Sequence, residues 1–397
     1  MLRPLLALSL ALTSMLPNFA AEPMLTKTDL FTANTDGYVI YRIPGIIVTP
    51  KGSLLAYCEA RKSRSDWAAI DALVRRSTDG GSTWEPARKI VSLEGKFEKN
   101  PIAIARKSGT PGEITMNNIV MISEPSTGAI HCLYCIEYLR VFYTRSDDDG
   151  KTFSAPTEIT ATCDKFRAEY DWKVIATGPG HGIVLKSGRL LVPVWLSLGT
   201  EGIGHKPSLI ATIFSDDHGK TWQAGSIVPT YFTVVTDPSE TVAVELTDGR
   251  VMLNIRNTSP LRRRGIAFSP DGATKWSKPA HSDTLTDPVC MAGLCRVPST
   301  NGEKILLFTN PSELNARKSL TVRLSTDDGV TWPVSKLLEP GASAYSDVAA
   351  TADGSLYCFY ERGRPDAKTP DAKSTDAYQL LTVAKFNRAW LTEKSSK

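Results

Sequence analysis

Ser215-Asp216-Asp217-His218-Gly219-Lys220-Thr221-Trp222 is the stretch that decides the fold of this 397-residue chain. By itself it reads as a β-hairpin turn. The Asp217 carboxylate accepts N–H groups of its own turn, Gly219 supplies a positive φ, and the Ser and Thr hydroxyls cap the ends. The closing Trp then drops onto the apolar face of the adjoining strand. The pattern returns at residues 77–84 (STDGGSTW), 146–153 (SDDDGKTF) and 325–332 (STDDGVTW), and in a form degraded at the Gly and Thr positions at 269–276 (SPDGATKW). The starts lie 69, 69, 54 and 56 residues apart, so one supersecondary unit is repeated along the chain.

Working outward, short runs of strand composition flank the turns, at residues 119–122, 190–195, 251–255, 305–308 and 356–360. Gly, Asp and Asn punctuate the chain and no long 3.6-residue period appears, so the class is all-β. Roughly 370 residues divided by a repeat near 60 gives six units, the signature of a six-bladed β-propeller with these turns as its hairpins. An array of β-sandwiches does not explain one turn motif at blade-like intervals. Asp147-Asp148-Asp149-Gly150 lacks the alternation and the twelfth-position Glu of a calcium loop. The turns are therefore read as structural. Residues 22–36 read as a lead-in, and 363–376 (GRPDAKTPDAKSTD) as a mobile loop before a last strand at 378–386. No boundary divides 22–397, which is expected to be one domain.

Composition narrows the function classes. The hydrophobic fraction is 42%, the charged fraction 22% and the net charge +4, an evenly spread balance that argues against nucleic acid and against a membrane surface. Residues 1–21 read as a signal peptide: Arg3, an apolar run from Leu5 to Leu16, and small residues at Ala20-Ala21. The run falls short of the ~20 residues of a membrane span, so no membrane anchor is expected and the protein is placed outside the cytoplasm, secreted or periplasmic. Seven cysteines are an odd number for such a protein. Cys132-Leu-Tyr-Cys135 has no second CxxC to complete a four-ligand zinc site, so buried free thiols with at most one local disulfide are expected. Neither a metal nor a cofactor is called for.

The chemistry begins at Tyr41-Arg42-Ile43-Pro44-Gly45-Ile46, where a guanidinium stands inside an apolar run and needs an anion to explain it. This motif, with four good S-x-D-x-G-x-T-W boxes, resembles the exo-α-sialidases (neuraminidases), whose repeats are the Asp-boxes or BNR repeats. The resemblance runs from about residue 38 to the C-terminus. It implies a six-bladed propeller whose central funnel takes terminal sialic acids from glycoproteins, glycolipids and oligosaccharides. Three arginines binding the sugar carboxylate map onto Arg42, Arg256 and Arg317, a use suited to planar guanidinium forks. The last two lie 61 residues apart, one repeat. The Arg262-Arg263-Arg264 cluster reads instead as an exposed loop.

A carboxylate nucleophile would repel the substrate carboxylate, whereas a neutral phenol avoids this if a base takes its proton. The resemblance maps that phenol to Tyr345 and its base to Glu240, with a tyrosyl covalent intermediate and retention of configuration. It maps the acid to Asp66, expected to have a raised pKa, with Asp71 as runner-up. Arg61 matches a further substrate-contacting arginine and Glu361 a carboxylate buttressing Arg42. Asn100 matches a residue for the glycerol side chain and Trp195 one lining the N-acyl pocket. His181, in Gly178-Pro-Gly-His-Gly182, is a poor general base. Two rivals stay open: a propeller that binds sialoglycans without cleaving them, and a hydrolase or trans-sialidase acting on another nonulosonic acid or releasing an anhydro product.

Overall fold

The computed structural model describes residues 22–93, 95–230, 233–299, 302–364 and 376–393. The expected signal peptide lies outside them, as does most of the expected loop at 363–376. The described chain is all-β, and its sheets are arranged as a β-propeller.

Each unit follows one order. In the first, Ile40–Val48, Leu54–Arg61, Ile70–Ser77 and Arg88–Lys89 pair antiparallel in sequence. A second sheet runs Met116–Glu124, Ala129–Ile136, Arg140–Ser146, Thr157–Glu158, with Gly180–His181 added in parallel beside its first strand. A third holds Val174–Thr177, Leu190–Glu201, Lys206–Ser215 and Gln223–Ile227, with Ile183–Val184 at its margin. A fourth holds Thr241–Glu245, Val251–Ile255, Arg263–Ser269 and Ala280–Thr286.

The remainder departs from the expected six separate units. Seven strands form one continuous sheet, so hydrogen bonding delimits five sheets, of seven, five, five, four and four strands. The cause is the strand Val334–Ala350. Its first half, to Ala342, pairs with Lys318–Ser325, and its second half, from Ser343, pairs with Leu356–Arg362. The chain passes through Pro340-Gly341 without a turn, so two sheets share it. The lead-in is also a correction: Leu25–Thr32 is a strand, paired antiparallel with Leu380–Phe386, and it joins the two ends of the chain in one sheet. Its pattern of alternating Thr and charged residues at 26–29 hid it, because an outermost strand leaves that stretch exposed.

The core lies between neighbouring sheets. Ile47, Leu55 and Tyr57 of the first interleave with Met121, Ile130 and Tyr134 of the second, and a larger cluster joins the second, third and fourth through Val120, Leu191, Val194 and Leu253.

The boxes sit where the third strand of a unit ends. Asp217 accepts from Ser215 Oγ at 2.8 Å, from Thr221 N at 2.9 Å and from Thr221 Oγ1 at 2.6 Å. Asp79, Asp148 and Asp327 repeat this bonding. The degraded copy keeps it too, in a turn one residue tighter: Asp271 accepts from Thr274, three residues on instead of four.

The residue after each box Asp has a positive φ and reaches the preceding sheet. Asp149 accepts from Thr49, from Ser53 and from Arg76 of the first sheet. His218 meets Glu124 of the second at 2.5 Å. Asp328 binds Arg296 at 2.7 Å and Thr247 of the fourth. The variable position of the repeat is thus a fastening between sheets.

All seven cysteines are free and six are buried, so the local disulfide does not form. Cys132 and Cys135 lie three apart on one strand and face opposite sides, which prevents them from sharing a metal. Among the described residues no group of three His, Cys, Asp or Glu side chains is placed to hold a metal ion.

Candidate active site

Because the boxes occupy one end of the strands, the residues singled out by sequence fall at the other. Arg42 stands near the start of its strand, Arg61 closes the next, and Arg256 follows Val251–Ile255 directly. Local backbone aims the first of them. Ile43, a β-branched residue, has φ +58°, and the register shifts between Arg42 and Gly45. Such a bulge re-aims a side chain, at a cost of about 1–3 kcal/mol in backbone strain. Glu361 holds it in place by accepting from Ile43 N at 3.0 Å. Gly45 is required as well, since a Cβ there would run into the Tyr57 ring.

The three arginines converge on one ring. The guanidinium carbons of Arg42, Arg317 and Arg256 lie 4.9, 5.2 and 5.8 Å from the centroid of Tyr345. The fully buried Glu361 binds Arg42 Nε at 2.9 Å and Nη2 at 3.3 Å, and also accepts from Tyr345 N at 3.0 Å. The expected buttress is therefore present, and it ties the first arginine to the tyrosine backbone. Arg317 Nη2 donates to Val289 O at 2.7 Å.

Beside them, Tyr345 OH donates to Glu240 Oε1 at 2.7 Å and accepts from Arg256 Nη1 at 2.5 Å, and Arg256 also pairs with Glu240. The phenol is thus bonded to a base and a cation together. Burial pushes its pKa well above the usual tyrosine value; Glu240 adds to that, while Arg256, Arg317 and Arg42 pull the other way. In the free protein the phenol is neutral.

Asp66 differs from expectation. Its carboxylate meets Arg61 Nη1 at 2.5 Å, and Arg61 is clamped from behind by Glu59 at 2.6 and 2.9 Å. Burial raises the Asp66 pKa, but the charges of Arg61 and Arg42, joined by His205 where it is protonated, outweigh it and hold the carboxyl well below the usual range. A raised pKa was expected from the acid's role; the arginines that would bind an anion set the opposite one. The runner-up, Asp71, accepts from Tyr38 OH at 2.6 Å and pairs with Lys89, away from this group.

Asn100 is a correction. It is fully buried, its Oδ1 caps the short helix Pro101–Ala105, and its Nδ2 donates to the carbonyls of Glu137 and Lys173 at 3.1 and 3.0 Å. With its amide consumed by backbone, nothing remains for a ligand. Arg264 is a second correction: far from an exposed loop, it is buried against Asn254, Asp287 and the Cys290 carbonyl. Arg262, in contrast, reaches the cavity.

That cavity, about 390 Å³, is lined by Trp195, His205, Lys206, Glu240, Arg256 and Arg262 among others. Trp195 lines it, packed on His205 at 5.1 Å and Tyr138 at 6.0 Å between ring centroids. Two site residues escaped the sequence reading. His205 is walled by Trp67, Tyr138 and Trp195, and burial lowers its pKa to about 4. Tyr378 bonds Arg317 and covers Arg42. His205 sits in a hairpin tip with no motif, and Tyr378 follows a polar stretch that masks it. His181 is held by the buried Asp347 at 2.8 Å and lines a different cavity with Lys186 and Arg296, so it takes no part here.

A propeller of Asp-box hairpins with an arginine-ringed tyrosine defines a BNR-repeat protein, and comparison with known proteins agrees. The BNR repeat-like domain family matches residues 97–358. The chain is 32% identical over 388 residues to a sialidase of Micromonospora viridifaciens, covering 93% of this chain and 55% of that one. It is 30% identical over 324 residues to a sialidase of Bacteroides fragilis strain YCH46, covering 76% and 55%. Bovine sialidase-3 is 27% identical, with 85% and 89% covered. The chain therefore spans about half the length of the first two relatives. Among solved structures, the Hadza microbial sialidase Hz136 superposes with a TM-score of 0.72 at 27% identity, over 91% of this chain and 68% of that one. The leech intramolecular trans-sialidase shares the fold, with a TM-score of 0.72 at 16% identity and 92% and 71% covered. The chain belongs to the sialidase family with BNR repeats.

Proposed function

We propose that this protein is an exo-α-sialidase, a glycoside hydrolase that releases terminal sialic acids from glycoconjugates with retention of configuration. The observation that carries the reading is the Tyr345 phenol, bonded at once to Glu240 and Arg256 with three guanidiniums around its ring. A sugar carboxylate bound by Arg42, Arg256 and Arg317 sets the anomeric carbon over that phenol. Glu240 takes the phenolic proton as the oxygen attacks, and Arg256 stabilises the oxyanion character that develops. The glycosidic bond breaks as the tyrosyl–sugar bond forms, and the leaving oxygen takes a proton from Asp66. Water then attacks the intermediate, giving its proton to Asp66, and Tyr345 recovers its own from Glu240.

The substrate answers the difficulty posed by Asp66. Its carboxylate offsets the positive charge of Arg42, one of the arginines that hold Asp66 ionised. The acid's pKa therefore rises once substrate is bound. Trp195 lines the N-acyl side of the cavity, and Arg61 positions Asp66. On the architecture, the seven-stranded sheet counts as two blades sharing one strand, which makes six. The leader-like composition of residues 1–21 supports a location outside the cytoplasm, secreted or periplasmic.

Tyr345→Phe tests this directly. Turnover of a fluorogenic sialoside is expected to vanish while the circular dichroism and melting temperature stay those of the parent. Unchanged turnover would refute the assignment, and binding of sialosides without release of sialic acid by the parent protein would favour the non-catalytic rival.

A further inference from the structure

Tyr378 closes the 3₁₀ turn Asp376–Tyr378 ahead of the last strand. Its ring lies over the Arg42 guanidinium, 4.1 Å from centroid to carbon, and its hydroxyl accepts from Arg317 Nη1 at 2.9 Å. The side chain is half-buried and packs on the apolar cluster that includes Ile43, Ala344 and Tyr345. Arg42 and Arg317 are otherwise anchored on other sides, Arg42 by Glu361 and Arg317 by the Val289 carbonyl. One tyrosine therefore spans the gap between two cations whose like charges push them apart.

A phenol has one proton to donate and two lone pairs to accept with. Arg317 uses a lone pair, and among the described residues nothing accepts the proton. An anion settling between Arg42 and Arg317 meets that O–H. We propose that Tyr378 is a substrate-contacting residue whose hydroxyl donates to the sugar carboxylate while its ring fixes the plane of Arg42. The assignment rests on the sialidase reading above, and it adds a neutral donor to the three cations. An O–H donor to a carboxylate makes a short, charge-assisted bond, and the ring adds a cation–π contact that keeps Arg42 from rotating away.

The test uses Tyr378→Phe, which keeps the ring and removes only the hydroxyl. The probes are 2,3-didehydro-2-deoxy sialic acid and its methyl ester, whose carboxyl carries no charge. Calorimetric affinity for the acid is expected to fall about 10- to 100-fold, with a parallel rise in KM for a fluorogenic sialoside and little change in kcat. Affinity for the ester should move less than twofold. Tyr378→Leu, which also removes the ring, should lower kcat in addition, because Arg42 is no longer held over Tyr345. Unchanged affinity of Tyr378→Phe for the acid, or an equal loss for acid and ester, would overturn the assignment and leave a packing role only. A parent protein that neither binds the acid nor turns over the sialoside would instead bring down the sialidase reading, and this inference with it.

Discussion

Asp66 shows how charge rather than burial sets the behaviour of a single residue here. Taken alone, its enclosure would raise the carboxyl's pKa, but Arg61 at 2.5 Å reverses the sign. Leaving-group dependence should expose the consequence. Asp66→Asn is expected to lower kcat/KM on sialyllactose about 100- to 1000-fold, the scale of general acid catalysis, while costing far less on a 4-nitrophenyl sialoside whose leaving group needs no proton. The pH profile follows with a definite sign. Only protonated Asp66 can give its proton, so kcat on sialyllactose should fall as pH rises through the carboxyl's substrate-bound pKa, and this limb should disappear in Asp66→Asn. Equal losses on both substrates would show that Asp66 is not the acid. That Arg42, Arg256 and Arg317 converge on Tyr345, with Glu240 and Glu361 beside them, was legible in the sequence because their motifs matched a family pattern. Asn100 was misread for the same reason: its motif matched, but the helix it caps and the carbonyls it satisfies belong to distant segments.

At the scale of the element, the Asp-box does two jobs, and only one of them was legible. Its Ser, Asp, Gly and Thr close a turn locally, so four copies and even the contracted fifth declared themselves. The residue after the Asp looks variable because each copy fastens to a different neighbour: Asp149 to Thr49, Ser53 and Arg76, His218 to Glu124, Asp328 to Thr247. Asp149→Asn keeps the size and tolerates the positive φ but strips buried Arg76 of one of its two counter-charges, leaving the more exposed Glu85. It should destabilise the protein by about 2–4 kcal/mol, read as a lower urea midpoint at constant m-value. The exposed Asp147, which pairs with Arg145 at the surface, should cost under about 1 kcal/mol when changed to Asn. Equal effects at the two positions would contradict the fastening role.

Across the whole molecule, the N- and C-terminal strands meet in one sheet. Leu25–Thr32 pairs along its length with Leu380–Phe386, and Arg362 binds Asp29 at 2.8 Å across the join. That one unit recurs along the chain was legible from the repeat, since hairpin turns are local. This closing pair was not, because register between residues 348 to 361 apart leaves no periodic trace in either strand. Deleting residues 22–32 should expose the edge of Leu380–Phe386 and leave a protein that aggregates or melts non-cooperatively, whereas the same deletion with the segment supplied as a separate peptide should recover cooperative melting. A truncated chain with the parent's melting curve would show that the join is dispensable.

The central claim is that Tyr345 attacks a sugar whose carboxylate Arg42, Arg256 and Arg317 hold, and mass spectrometry tests it most directly. The protein is incubated with a 2,3-difluoro sialic acid, whose fluorine at C3 slows release of a glycosyl-enzyme, then digested and sequenced. One fluorosialyl group on Tyr345 is the predicted result, absent from Tyr345→Phe. An unlabelled protein that still turns over sialosides, or a label on Glu240, would contradict it.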